Sequence, residues 1–216
     1  MNNVQNAAPI PAPRATRDVQ RARALAAARA ILSTEGMPAL NARRVAAAIG
    51  VSVGTLYNLF ENFDEVILTL NLETLEELDR AFAALPRLSD PEAAIGTIAG
   101  AYLDFTAANR NRWASVLEFK TTAPHRFSED FPAVIGRLVA WVERALAPLF
   151  PVGAEDQRRL SAAVLWTSLE GIGALTAADN LRMVTTTTAY DMAGALAAHY
   201  LAGVRTRYHI DGTGHS

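Results

Sequence analysis

Apolar residues recur at three- and four-residue steps along nearly the whole chain, and no stretch alternates as a strand would. The pattern predicts an all-α protein of about nine helices. A first helix spans about Arg17 to Thr34 and meets a stop signal at Glu35-Gly36-Met37-Pro38. Asn41 is placed to cap a second helix, about Ala42 to Ile49, which Gly50 ends. Ser52 is placed to cap a third, about Val53 to Leu59. Asn62, with Glu65 three residues later, starts a fourth in the manner of a capping box. That helix runs to about Leu85, with Ile67, Leu70, Leu78, Phe82 and Leu85 on one face. Ser89-Asp90-Pro91-Glu92 starts a fifth, which Asn109 separates from a sixth ending near Phe119. Residues 121–130 read as a loop. The last three helices cover about Pro132 to Leu149, Ala154 to Ala178 and Thr186 to Arg207. Residues 1–16, with Pro at 9, 11 and 13, read as a disordered arm, and 209–216 as a flexible tail.

Composition narrows the chemistry. The 216 residues include no cysteine, which excludes disulfides, thiolate metal sites and a Cys nucleophile. No His/Asp/Glu spacing suggests a metal site, no phosphate-cradling Gly loop is present, and no nucleophile–base pair stands out. No catalytic residue, metal or cofactor is therefore expected. Residues 1–13 lack the charged start and apolar run of a signal peptide. Leu160 to Ala178 carries one charge, Glu170, but its Ser, Thr and Gly content fits a buried helix of a soluble, cytoplasmic protein rather than a membrane span. Charge splits the chain. Residues 1–63 hold seven Arg against three acids, net +4, while residues 64–216 hold 13 cations against 19 acids, net −6. A basic amino-terminal module suits contact with a polyanion.

The second and third helices are short and joined by about three residues, the geometry of a helix-turn-helix. Ala46 is small where the helices cross, Gly50 can take a left-handed turn conformation, and Val51 can plug the space between the helices. The start of the third helix then offers Val53, Thr55 and Asn58 to a major groove.

Val45-Ala46-x-x-x-Gly50-Val51-Ser52-x-Gly54-Thr55-Leu56-Tyr57-x-x-Phe60 resembles the DNA-binding signature of the TetR family of bacterial transcriptional regulators. With the first helix and Asp64-Glu65-Val66-Ile67, the resemblance covers about residues 17–70. It implies a helix-turn-helix domain over 17–63 and a helical effector-binding and dimerisation domain over 64–208. On that resemblance Tyr57 contacts phosphate and Thr55 phosphate or base. Asn58 stands where the family often has His or Arg, and could read a base edge. Ser52 and Val53 lie at the groove entrance, and Asn41, Arg43 and Arg44 beside the DNA backbone. Tyr57 could instead pack in the small domain, and Arg43 and Arg44 could be solvated surface. Phe63 departs from a common Lys that helps hold a phosphate. Leu165-Trp166-Thr167-Ser168-Leu169-Glu170-Gly171 is similar to a Trp…His-Gly signature of one class of carboxy-terminal domains, with Glu170 in place of His.

Ala163, Thr167, Gly171 and Ala174 form a small-residue stripe on the eighth helix. Ala193, Leu196 and Tyr200 recur at comparable steps on the ninth. By family resemblance these two helices pair with their copies in a homodimer; otherwise the stripes are core. The other face of the eighth helix carries Trp166, Glu170 and Gly173. With Tyr102, Phe105, Trp113, Leu117, Phe127 and Trp141 it could line an apolar pocket with one acid, suited to a small hydrophobic effector. The leading expectation is a ligand-responsive transcriptional repressor whose partners are an operator DNA, its own copy and an effector. The alternatives are an all-α carrier or enzyme, or an interaction module with a weakened DNA-binding domain.

Overall fold

The computed structural model describes residues 13–119 and 130–208. Phe127, the tail at 209–216 and most of the expected arm lie outside the described residues. Every element within them is helical: α1 (Pro13–Glu35), α2 (Ala42–Ile49), α3 (Val53–Tyr57), α4 (Phe63–Ala83), α5 (Pro91–Ala108), α6 (Arg110–Glu118), α7 (Asp130–Leu146), α8 (Glu155–Ala177) and α9 (Ala189–Tyr208). Helix α1 begins at Pro13, ahead of the expected Arg17, so residues 13–16 are helical rather than part of an arm. Proline lacks only an N–H that a first helical residue would leave unpaired, so it starts a helix well. Helix α9 begins late. Of four consecutive threonines, Thr188 is the one with an acid three residues on, and its Oγ1 accepts the Asp191 N–H at 3.1 Å.

The chain divides into two compact units between Leu70 and Asn71, within α4. In the first, α1 packs on α2 and α2 on α3. Ala24, Ala28 and Leu32 form the buried edge of α1, and Val45, Ala46, Ile49, Leu56, Leu59, Phe60, Val66, Ile67 and Leu70 complete an apolar core. Each fully buried Leu, Ile or Phe contributes about 1.5–3 kcal/mol relative to exposure.

In the second unit α5 packs against α7, α8 and α9, and α8 against α7 and α9. Helix α8 is long and apolar enough to cross a membrane by composition alone. Its Leu165, Trp166, Leu169, Ile172 and Gly173 are buried in the unit's core. Helix α9 turns Ala189, Ala193, Ala197, Leu201 and Val204 inward. Ala193, expected at a dimer interface, is only 4% exposed within its own chain, because its face of α9 is the one that packs on the core. Leu196 and Tyr200 are half-buried against the same core. On α8, Thr167 and Gly171 are exposed, and Ala163 and Ala174 half-buried.

Candidate functional site

The helix-turn-helix is built from local backbone chemistry. Asn41 Oδ1 accepts the Arg44 N–H at 3.1 Å, capping α2. Gly50 is left-handed (φ 73°, ψ 34°). Its N–H donates to the Ala47 carbonyl at 3.2 Å and the Val51 N–H to the Ala46 carbonyl at 3.0 Å. These paired bonds satisfy the carbonyls that a helix end would leave open. Ser52 Oγ then accepts the Thr55 N–H at 3.0 Å, and the Ser52 and Thr55 hydroxyls share a bond of 2.9 Å. The chain reverses with its polar ends satisfied, and α3 is held by buried Leu56. Helix α3 is shorter than expected. The Asn58 N–H returns to the Gly54 and Thr55 carbonyls, so Asn58 is a cap rather than a helical residue.

The outward residues are those the groove reading needs. Tyr57 is 49% exposed, which removes it from the small unit's core. Ser52, Asn58, Asn41, Arg43 and Arg44 are exposed or half-exposed, as are Val53 and Thr55. Arg44 is engaged: its guanidinium donates to both Glu35 oxygens at 2.7 and 2.6 Å. Those hydrogen bonds hold the Glu35 carboxyl below its usual range and Arg44 above its own. Phe63 is the half-buried first residue of α4.

One residue escaped the reading of the sequence. Arg21 donates to the Leu59 carbonyl at 3.1 Å and to Glu65 Oε1 at 2.8 Å, and lies over the Phe60 ring at 4.4 Å. Glu65 in turn accepts the Glu61 N–H at 2.7 Å, while its own N–H goes to Asn62 Oδ1 at 2.9 Å. Arg21 thus pins the chain leaving α3 to the start of α4, across 38 to 44 residues that leave no local signal. Gly54 of the signature has no packing role. A methyl built there meets only Ser52 Oγ, at 3.7 Å, so the fold does not require glycine at this exposed position. Glycine in a helix is up to about 1 kcal/mol less favourable than alanine, and its use is close approach to the backbone.

The second unit holds polar atoms inside. Tyr102, Trp113 and Trp166 meet edge to face, with ring centroids 5.5 and 5.7 Å from Tyr102, and Phe105 and Phe82 extend the cluster. Gly173 makes room: a methyl there would fall 2.8 Å from Tyr102 Cε1. Tyr102 Oη, Trp113 Nε1 and Arg112 Nη2 are buried without a hydrogen-bond partner among the described residues. Burial, and then the Glu170 charge, push the Tyr102 phenol above its ordinary range, and burial raises the Glu170 carboxyl. Polar ties join α4 to α6 beside them. Asn71 and Ser115 exchange hydrogen bonds of 3.1 and 2.7 Å, and Arg112 pairs with Glu77 at 2.7 Å.

The expected pocket residues do not all converge. Phe105, Trp113, Tyr102 and Trp166 touch in that order, and the Glu170 charge is felt at Tyr102. Leu117 is exposed. Trp141 belongs elsewhere: its Nε1 donates to Asp79 Oδ1 at 2.9 Å and its ring lies under Arg144. The sequence reading missed Arg112, and placed Phe82 on the apolar face of α4 without joining it to this cluster. Among the described residues no cluster of three or more metal-ligating side chains occurs.

A helix-turn-helix displayed ahead of a larger helical unit defines a DNA-binding transcriptional regulator. Residues 24–69 match the family described as bacterial regulatory proteins, tetR family. The amino-terminal unit thus carries the TetR-type DNA-binding domain. No curated protein matches it in sequence. Solved structures match over nearly their whole length. A TetR-like transcriptional regulator from Rhodococcus sp. RHA1 is similar at TM-score 0.60 and 22% identity, over 89% of this chain and 100% of that one. PfmR, a TetR family transcriptional regulator from Thermus thermophilus, is similar at 0.58 and 20%, over 83% and 97%. EbrR, a multidrug binding protein complexed with imidazole, is similar at 0.58 and 23%, over 84% and 94%.

Proposed function

We propose that this chain is a cytoplasmic, homodimeric transcriptional repressor that a small, largely hydrophobic effector releases from its operator, and that it is not an enzyme. The observation that carries the reading is the capped α2–turn–α3 motif with Thr55, Tyr57 and Asn58 facing out. Tyr57 and Arg43 hold the phosphate backbone, with Arg44 joining when it leaves Glu35. Thr55 and Asn58 reach base edges, and Ser52 and Val53 sit at the groove entrance.

A two-fold dimer presents two such motifs to two half-sites. Helix α8 supplies the surface. Leu160, Val164 and Leu175 are 66%, 38% and 38% exposed, and with Thr167 and Gly171 they continue the expected stripe. The effector site is the cluster around Tyr102, Trp113, Trp166 and Glu170, whose unpartnered donors offer polar anchors in an apolar setting. An effector there acts on α4 through the Asn71–Ser115 and Glu77–Arg112 ties. It must bind the DNA-incompetent state more tightly, or it shifts nothing. That a fold of this kind holds a small molecule in EbrR supports the assignment.

The test is binding to the DNA flanking its own gene, against scrambled DNA, across a salt series. The expected result is preference for the flanking DNA and a log–log slope of about −0.9 per phosphate neutralised. Equal, weak binding to both at low salt would overturn the reading.

A further inference from the structure

Trp141 leads to a second site, which shares only the Phe82 ring with the aromatic cluster. A cleft of about 430 Å³ opens between the end of α4, the segment after it, α5 and α7. That volume lies within the roughly 300–1,000 Å³ of small-molecule sites. Its inner wall is buried and apolar, from Phe82 and Ile98, with Leu85 half-buried. Its outer wall is more exposed and carries Leu88, Arg87 and Arg144.

Neither arginine has an ion-pair partner among the described residues. Arg144 lies 4.2 Å from the Trp141 ring centroid, which orients its guanidinium without neutralising it. The acids nearby are taken. Asp79 accepts from Arg137 at 2.8 Å and from Trp141 at 2.9 Å, and stays ionised with its carboxyl below the usual range. Asp90 caps α5 through the Ala93 N–H at 2.8 Å, and Glu92 pairs with Arg205 at 3.4 Å. Arg144 feels the Asp79 charge without an ion pair to it, so the cleft joins an apolar interior to a mouth with two guanidiniums free of direct carboxylate partners. We propose that it binds an amphiphilic carboxylate, an apolar body ending in one anionic group, with the body against Phe82 and Ile98 and the carboxylate between Arg87 and Arg144. Paired guanidinium–carboxylate hydrogen bonds are the strong, directional kind that such a mouth can supply.

The experiment is calorimetric titration of the full chain with octanoate, octylamine and 1-octanol, and it needs no DNA. Octanoate is expected to bind at least tenfold more tightly than either of the others and to weaken with added salt. R87M/R144M, which keeps the apolar stems, is expected to weaken octanoate about tenfold or more while leaving 1-octanol unchanged. Ala94→Phe, which fills the cleft from α5, is expected to weaken octanoate and 1-octanol alike. Equal binding of the three probes, or octanoate binding that survives R87M/R144M and Ala94→Phe, would overturn the proposal. Octanoate binding lost only in Glu170→Gln would overturn it too, by placing the ligand in the aromatic cluster. Because the readout is direct binding, failure here leaves the operator test unaffected.

Discussion

In the unit ending at Leu70, the buried residues are apolar, and Asn41, Ser52, Tyr57 and Asn58 face solvent or close a helix end. In the unit from Asn71 onward the arrangement inverts. The buried polar residues Asn71, Thr74, Thr106, Arg112, Ser115 and Ser161 all lie there, as do the three unpartnered buried atoms. A surface that reads an extended polyanion can leave its donors in water until the partner arrives. A cavity that recognises a small molecule must hold its donors dry beforehand, and each unpartnered group costs about 1–3 kcal/mol until filled. The first unit can be made stable and functional with separate residues. In the second, if the proposed effector site is right, stability and recognition draw on the same side chains.

The largest expected effect comes from emptying the second unit's core. Phe82→Ala should destabilise by about 3–5 kcal/mol in urea unfolding, since it removes a buried ring from the Trp166 contact. Gly173→Ala should cost about 1–3 kcal/mol in the same assay, because its methyl overlaps Tyr102. Tyr57→Ala should do the reverse, weakening cognate DNA binding roughly tenfold with an unchanged melting curve. A melting point that fell with affinity would place Tyr57 in the fold and blur the contrast. Gly54→Ala should raise stability by up to about 1 kcal/mol yet weaken DNA binding. Tighter binding by that variant would show that nothing approaches the backbone there.

The smallest effect is a titration. Burial raises the Glu170 carboxyl, so the folded chain holds that proton more firmly than the unfolded one. The wild type should lose stability as pH rises from the ordinary carboxylate range through the raised value. Glu170→Gln should remove that loss, so its advantage at neutral pH fades in acid. A pH-independent difference between the two proteins would count against a desolvated carboxylate.

The same contrast explains what could be read from the chain. Asn41, Gly50 and Ser52 act within a few residues of themselves, and each is legible as a cap or a turn. Element ends blurred where local signals competed, as among the four threonines before α9, or where a helix closed early, as α3 does at Tyr57. In the second unit Trp141 is drawn away by Asp79, 62 residues distant, a pairing that periodicity does not encode. Hence aromatics grouped by type separate in space, Arg112 goes unnoticed, and Phe82 is legible only as part of an apolar helix face. Ala193 was read for its small size, but its helix face met α5's side of the core instead.

Helix α4 runs unbroken through the division between Leu70 and Asn71, with Val66, Ile67 and Leu70 buried before it and Asn71, Leu75 and Leu78 after it. A protease therefore finds no pliant connector there, and severing the chain at that point would orphan up to four N–H and four C=O groups. Any attempt to express the amino-terminal unit by itself should carry α4 through Ala83 and would bring the apolar flank of Leu75, Leu78 and Phe82 into water. Dissection at the unit boundary should yield fragments that aggregate, and limited digestion of the intact chain should spare residues 63–83.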